Sequence, residues 1–315
     1  MKRFLVPMLA ALTVAGAPGA HAADGTKPQQ VTIFTGPQGG SWYAMGGGFA
    51  KLFSDQGVRS NAEVGGGVSN VAVVGQGRGE LGFTMSIVPR MAELGQEPFK
   101  QKITNVRAIG SLGTNVVHIA VMKDAGVETF ADLKGKKFAS QPVGNVTTEA
   151  FKGVLAANGL KEEDLDLTRG GQGYGAAQMK DRRIVGFTAT TLPPSPAFSE
   201  VAQSLDVTFL PIADATLAKM QEVNPGYSRG VIPAGTYNGQ TADVPTAATG
   251  MLIVTRAEMS DDEAYWITRI LAEHIADLRK IHSSLSDLTV EEMAKTPGLD
   301  LHPGAMRYYK EKGLI

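Results

Sequence analysis

The sequence predicts an α/β protein folded as two similar lobes that face each other across a cleft. Three observations lead there: strand-like and helix-like segments alternate along most of the chain, the landmarks of residues 34–84 recur 104 positions later, and glycine-rich turns follow the strands in both copies.

In the first copy an apolar strand at 31–34 runs into TGPQGGSWYAMGGG (35–48) and a helix whose buried face is Met45, Phe49, Leu52 and Phe53. In the second, a strand at 137–140 leads into a helix carrying Phe151, Val154 and Leu155. Both helices are expected to stop at glycine, Gly57 and Gly159, because glycine adopts the left-handed conformation that closes a helix without steric cost. A second strand follows (61–64, then 165–168), then a GG loop, a short helix (69–76, then 174–180) and a third strand (81–85, then 184–188). Without gaps, Phe34 falls on Phe138, Gly40 on Gly144, Gly66-Gly67 on Gly170-Gly171, Ala72 on Ala176, Arg78 on Arg182, and Gly82-Phe83-Thr84 on Gly186-Phe187-Thr188. Strands alternating with helices imply parallel pairing with right-handed crossovers.

Extended segments at 109–122 and 246–256 are expected to cross between the lobes as a hinge, which assigns 24–122 with 250–315 to lobe 1 and 123–249 to lobe 2. A short helix at 128–133 is expected to end at Gly135. The tail carries a helix opened by the capping box Ser260-Asp261-Asp262-Glu263, with Ile267, Ile270, Leu271, Ile275 and Leu278 along the face that packs on lobe 1.

Residues 1–23 read as a secretory signal peptide: Lys2 and Arg3, an apolar stretch, then Ala20-His21-Ala22 as an A-x-A cleavage site. The apolar stretch is short for a membrane span and is broken by Pro7 and Pro18. Cysteine is absent, which excludes a disulfide framework and a lipid-modified cysteine anchor. Lys plus Arg number 30 against 31 Asp plus Glu, and losing Lys2 and Arg3 leaves 28 against 31, mildly acidic. No basic stripe is available for nucleic acid or anionic lipid. The expected partner is a small solute or another protein, and the chain is expected to act as a monomer.

Ligands of open α/β sheets sit beyond the carboxyl ends of the strands. The first lobe would contribute 39–43, 66–70 and 84–86, and the second 144–148, 171–174 and 188–190. Within these stretches and the crossing strand, the candidate ligand-binding residues are Gly40, Ser41, Trp42, Tyr43, Gly67, Ser69, Asn70, Thr84, Ser86, Asn115, Gly144, Asn145, Thr147, Thr148, Tyr174, Thr188 and Thr190. Their hydroxyls, amides and neighbouring helix-start N–H groups suit a carboxylate. Any one hydroxyl can instead cap a helix, and capping is the stronger reading for Thr148.

Nucleotide and enzyme signatures are absent: no G-x-x-x-x-G-K-[ST], no G-x-G-x-x-G in register, no G-x-S-x-G and no H-E-x-x-H. No cofactor or metal is expected. His118, Glu149 and Tyr43 are the sole candidates for a cleft base should the fold serve an enzyme.

The segments TIFTGPQGGSWYAMGGGFAKL, GGGVSNVAVVGQGRGELGFTMS, VRAIGSL, VETFADLKGKKFA, IPAGTYNGQTADVPT and LHPGAMRYYKEKGLI together resemble the TAXI family of solute-binding proteins of tripartite ATP-independent periplasmic (TRAP) transporters. The resemblance spans the chain after residue 23, with 232–246 and 301–313 its most distinctive parts. It implies a class II periplasmic binding protein fold, closure of two lobes over a small solute such as the glutamate, glutamine or 2-oxoglutarate of members with known ligands, and delivery to TRAP membrane subunits. The family's ligand loops map to 39–43, 67–70, 84–86 and 144–148. Departures occur where the family has Q-S-D, a P-G-S-G-T-like turn and F-V-T-A-G-x-P: this chain has Met85-Ser86-Ile87, Pro142-Val143-Gly144-Asn145-Val146-Thr147 and Phe187-Thr188-Ala189-Thr190-Thr191-Leu192-Pro193. The expected ligand is therefore an organic mono- or dicarboxylate, with a sensory module presenting its liganded form to a membrane receptor as the alternative role.

Overall fold

The computed structural model describes residues 24–36 and 41–315, so the expected signal peptide and Gly40 lie outside the described residues. The strands are β1 (Gln30–Phe34), β2 (Arg59–Glu63), β3 (Leu81–Met85), β4 (Val106–Met122), β5 (Lys137–Ser140), β6 (Asp166–Arg169), β7 (Gly186–Thr191), β8 (Val207–Phe209), β9 (Tyr227–Ile232) and β10 (Val244–Arg256). Between them run α1 (Ser41–Asp55), α2 (Gly67–Gly75), α3 (Ile87–Leu94), α4 (Val146–Ala157), α5 (Gln172–Lys180), α6 (Pro196–Ser204) and α7 (Asp214–Val223). The tail adds α8 (Asp261–Glu273), α9 (Ile275–Ile281), α10 (Val290–Met293) and α11 (Pro303–Glu311).

The two lobes are α/β halves of a class II periplasmic binding protein fold, and they share one sheet. Its order is β2-β1-β3-β10-β4-β7-β5-β6, with β8 added to β4 and β9 to β10. The parallel triplets β2-β1-β3 and β6-β5-β7 come from the two copies of the repeat. The crossing strands, longer than expected, join them: β10 pairs with β3 at 251–254, β4 pairs with β7 at 116–121, and β4 and β10 pair with each other along most of their length. Between these two zones the β4–β10 register shifts, Gly250 facing Thr114 but Leu252 facing Ser111. Gly113 takes up the extra residue with φ 113°, a conformation that needs glycine. The partner exchange and the bulge coincide, which marks the joint between the halves.

The repeat holds in three dimensions with one adjustment. Phe34 pairs with Gly82 in the first half and Phe138 with Gly186 in the second, an offset of 104. The helices start at offset 105, α1 at Ser41 against α4 at Val146 and α2 at Gly67 against α5 at Gln172. The Arg78–Arg182 match of letters is consequently not a match of positions: Arg182, with φ 56°, stands where the first copy has Gly77 with φ 70°. The expected apolar faces of α1 and α4 are buried, and Gly57 and Gly159 follow their helices with positive φ.

The tail returns to the first half. Ser260 Oγ accepts from Glu263 N at 3.2 Å as the capping box required, and Trp266 packs 6.1 Å from Phe53 between ring centres. The single tail helix expected through Leu278 breaks at His274 into α8 and α9, and 128–133 forms a 3-10 turn over Phe130–Leu133. Tyr309 Oη donates to Ile109 O at 3.1 Å, and His302 N donates to Ala108 O at 2.8 Å, fixing the C-terminal segment to β4.

A second tie crosses beside the joint. The turn between α7 and β9 inserts Gly226 against the end of β3, where Ser86 Oγ donates to Gly226 O at 2.5 Å and accepts from Gly250 N at 2.8 Å. Asn224 Nδ2 donates to Ile87 O at 2.8 Å. A Cβ on Gly226 would stand 2.2 Å from Ser86 O and 2.7 Å from Ile87 N, both backbone atoms that cannot swing aside. Gly226→Ala is therefore expected to lower unfolding free energy by about 2 kcal/mol or more, read as a fall in the urea midpoint. An unchanged midpoint would show that this tie contributes nothing.

Candidate functional site

Both halves turn the carboxyl ends of their strands toward one cavity of about 1020 Å³. The first residues of α1, α2, α4 and α5, namely Ser41, Gly67, Val146 and Gln172, all line it. A helix start carries N–H groups with no intrahelical partner and the positive end of the helix dipole, so four such ends favour negative charge between them. The caps of α2 and α5 are glycines, Gly66 and Gly171, with no side-chain cap. No side chain thus caps either helix start, and the first residue of each, Gly67 and Gln172, lies on the wall. Among the described residues Lys100 is the single ionisable one on the wall, and no Asp or Glu lines it.

The candidate residues divide into two sets. Ser41, Trp42, Gly67, Ser69, Gly144, Asn145, Thr147 and Thr190 line the cavity. Trp42 lies beside Gly67, edge-on to Phe83 at 6.1 Å, and across the gap a Cβ on Gly67 would lie 3.4 Å from Val146 Cγ2, so the two walls converge here. Asn145 Oδ1 accepts from Thr147 N at 2.8 Å and caps α4. Thr147 Oγ1 accepts from Thr190 N at 2.9 Å, while Thr190 Oγ1 is shielded from solvent with no protein partner.

The second set sits behind the wall, holding backbone carbonyls. Asn70, fully buried, donates from Nδ2 to Phe34 O, Thr35 O and Phe83 O at 2.7–3.0 Å and accepts from Gly66 N at 3.0 Å. Thr84 donates to Gly67 O at 2.7 Å, and Thr188 to His118 O at 2.8 Å. Thr148 donates to Gln141 O at 2.7 Å and to Pro142 O, so it is a loop brace where a cap was expected. Ser86 forms the tie at the joint, and Asn115 Nδ2 reaches Met85 Sδ at 3.5 Å. Tyr43 is half-buried outside the cavity lining, and Tyr174 is exposed with its ring over Gly170.

Sequence reasoning passed over Gln76, Gln141, Gln172 and the segment Pro98–Gln101, all on the wall. Gln172 fell within 171–174, but with the helix expected to begin at 174 the aromatic Tyr174 was preferred. Glycine at position 171 as the cap was the available signal. The 98–103 segment has no glycine turn or repeat partner to announce it.

Behind Gln172 a chain of hydrogen bonds runs from α5 back to β4. Ser195 Oγ donates to Gln172 Oε1 at 2.9 Å, Ser195 N donates to Tyr237 Oη at 2.9 Å, and Tyr237 Oη stands 2.9 Å from His118 Nε2. His118 Nδ1 lies 3.0 Å from Val116 O, a pure acceptor, so Nδ1 carries the proton and Tyr237 donates to Nε2. The imidazole stacks on Phe198 at 4.7 Å, and Phe198 on Phe187 at 4.5 Å. Burial brings the His118 pKa down to about 4 and pushes the Tyr237 phenol up to about 12. None of His118, Glu149 and Tyr43 lines the cavity. Among the described residues no group of three or more His, Cys, Asp or Glu is placed to hold a metal ion, and no helix is long and apolar enough to cross a membrane.

Residues 33–313 match the model of the NMT1-like family. The chain belongs to that family. The fold is shared with a Xanthomonas citri protein solved with ATP, at TM-score 0.55 and 12% identity over 91% of this chain and 97% of that one. A Bordetella bronchiseptica RB50 protein matches at TM-score 0.50 and 18% identity over 91% and 90%. The Escherichia coli periplasmic aliphatic sulphonate binding protein SsuA matches at TM-score 0.48 and 16% identity over 91% and 94%. In this NMT1-like chain the distinctive 232–246 segment has a structural explanation, because it delivers Tyr237 to His118 and Ser195.

Two outcomes follow for the cavity and its backing. Trp42 and Trp266 are the chain's two tryptophans, one half-buried at the cavity and one buried in the core. Trp42→Phe should abolish most acrylamide quenching of fluorescence, and quenching that survives undiminished would place Trp42 away from the cavity. His118 is neutral in both states above pH 6.5; as pH falls toward 4 the unfolded chain binds a proton that the folded chain refuses, and stability declines. The contribution is about 3 kcal/mol over that window. Urea unfolding between pH 4 and 8 should show that slope, reduced by His118→Phe, and equal slopes would remove His118 as its source.

Proposed function

We propose that the chain is a periplasmic solute-binding receptor that captures a small organic carboxylate, glutamate- or 2-oxoglutarate-like, and delivers it to the membrane subunits of a TRAP transporter. The observation that carries this reading is the convergence of four helix starts and Lys100 on one cavity whose wall, among the described residues, holds no carboxylate. Such a wall stabilises an anion through N–H donors and aligned dipoles. The retained ligand-binding residues are those on the wall, Ser41, Trp42, Gly67, Ser69, Gly144, Asn145, Thr147 and Thr190, joined by Lys100 and Gln172.

A cavity of about 1020 Å³ is at the upper end for a small-molecule site and exceeds what a five-carbon acid fills. Closure of the lobes, 24–122 with 250–315 against 123–249, is the proposed remedy, with the bulge at Gly113 and Gly250 as the joint. The TRAP assignment rests on the sequence resemblance, periplasmic location on the signal-like residues 1–23, and action as a monomer on a cleft completed within one chain.

Refolded, ligand-free protein titrated with mono- and dicarboxylates in calorimetry should bind at least one, with no binding of the matching amides. At 100 times the dissociation constant that ligand should stabilise the fold by about 2.7 kcal/mol. A panel in which no carboxylate binds or stabilises would overturn the receptor reading. Reconstituted TRAP membrane subunits that ignore the liganded protein would overturn the delivery step alone.

A further inference from the structure

The polar groups around the cavity are unequally used. Carbonyls at the rim already accept: Gly66 O from Asn70 N and Ser69 Oγ, Gln141 O from Thr148 Oγ1 and Arg169 Nη1, Asn145 O from Thr148 N and Glu149 N. A carbonyl has two lone pairs, and each of these three receives two donors. Two amide oxygens of the wall are engaged in the same way. Asn145 Oδ1 is held by Thr147 N, and Gln172 Oε1 by the hydroxyl of Ser195, a residue 1% exposed.

The Ser195 bond fixes which way the Gln172 amide faces. A buried hydroxyl proton needs an acceptor, and Gln172 Oε1 is the one it has. Tyr237, itself engaged by His118, holds the Ser195 backbone in place. Gln172 therefore turns its oxygen inward and offers its two Nε2 protons to the cavity. Asn145 is left with Nδ2 in the same sense. Asn145 and Gln172 thus face the ligand with donors, beside the start of α5, which no side chain caps.

An α-amino acid brings an ammonium group as well as a carboxylate. Its charge would need an acid, yet among the described residues no Asp or Glu lines the wall. Lys100 and four helix dipoles would oppose a cation there. We propose that the cleft selects organic anions lacking an ammonium group, such as 2-oxo acids, over the corresponding amino acids, and that Gln172, oriented by Ser195, is the residue that sets this preference.

The inference rests on the receptor reading above, and matched pairs separate the two. Refolded protein is titrated calorimetrically with 2-oxoglutarate against L-glutamate and with pyruvate against L-alanine. The oxo acid is expected to bind at least about tenfold more tightly within any pair that binds. Amino acids binding as well or better would overturn this inference and leave the receptor intact, whereas no binding by any anion removes the receptor and the inference together.

Gln172→Glu is nearly isosteric and gives the cavity an acceptor oxygen while Ser195 keeps the other. It should move the affinity ratio toward the amino acid by about tenfold or more. Ser195→Ala frees the amide to rotate and should narrow the ratio, at an urea midpoint that reports whether the fold survives. Ratios unchanged in both variants would remove Gln172 from its role.

Discussion

The structure depends on how backbone acceptors are satisfied where strands end and helices begin. Each such turn buries carbonyl groups that cannot reach water, and an unpaired buried carbonyl is costly. Here short polar side chains meet that need: Asn70 for Phe34, Thr35 and Phe83, Thr84 for Gly67, Thr148 for Gln141 and Pro142, Thr188 for His118. With the acceptors filled from behind, the N–H groups at the helix starts are what the turns have left to present. The polarity of the cleft is therefore a by-product of holding the loops together, and among the described residues Lys100 is the one charged side chain on its wall.

That requirement also decides how the halves can move. Since β4 and β10 belong to both, neither half has an edge at the join, and relative motion must pass through a paired ribbon. A ribbon bends where its ladder is already interrupted, and of its two register shifts the one at Gly113, opposite Gly250 and Leu252, lies where β10 leaves β3, the other falling between Ile253 and Val254. Gly250 is held by Ser86, whose hydroxyl also grips Gly226 from the second half. One serine therefore couples the end of β3, the joint and the opposite half, which explains its full burial outside the cavity lining.

Much of this plan was legible in the sequence. Periodicity and the repeat located both α/β halves, the crossing strands and the buried faces of α1 and α4, because apolar burial leaves a regular signature. The candidate site was legible at the level of loops, since the glycine turns do converge. Within a loop the reading lost resolution for a physical reason: a Thr or Asn that braces a carbonyl and one that meets a ligand have the same chemistry and spacing, and only direction separates Asn70 from Asn145 or Thr148 from Thr147. Lys100 and Gln141 left no trace, as nothing local distinguishes a cleft-facing side chain on an irregular segment. The one-residue drift of the repeat between strands and helices likewise hid the true start of α5.

The drift has a consequence for asymmetry. At offset 105 Asn70 corresponds to Gly175, and a Cβ there would lie 2.8 Å from the Phe187 ring. In the first half a polar bridge holds α2 over the strand ends, whereas in the second α5 settles directly on Phe187, which stacks on Phe198 and through it on His118. Close seating brings the start of α5 within reach of Ser195, so a side chain at the first helical position can be oriented from below. The equivalent position in the first half is Gly67, with backbone alone to offer and Val146 of the other lobe opposite it. Two copies of one unit have thus taken different parts: the first gives a bare main-chain surface that the far wall can approach, and the second gives side-chain donors whose direction is set by an aromatic core.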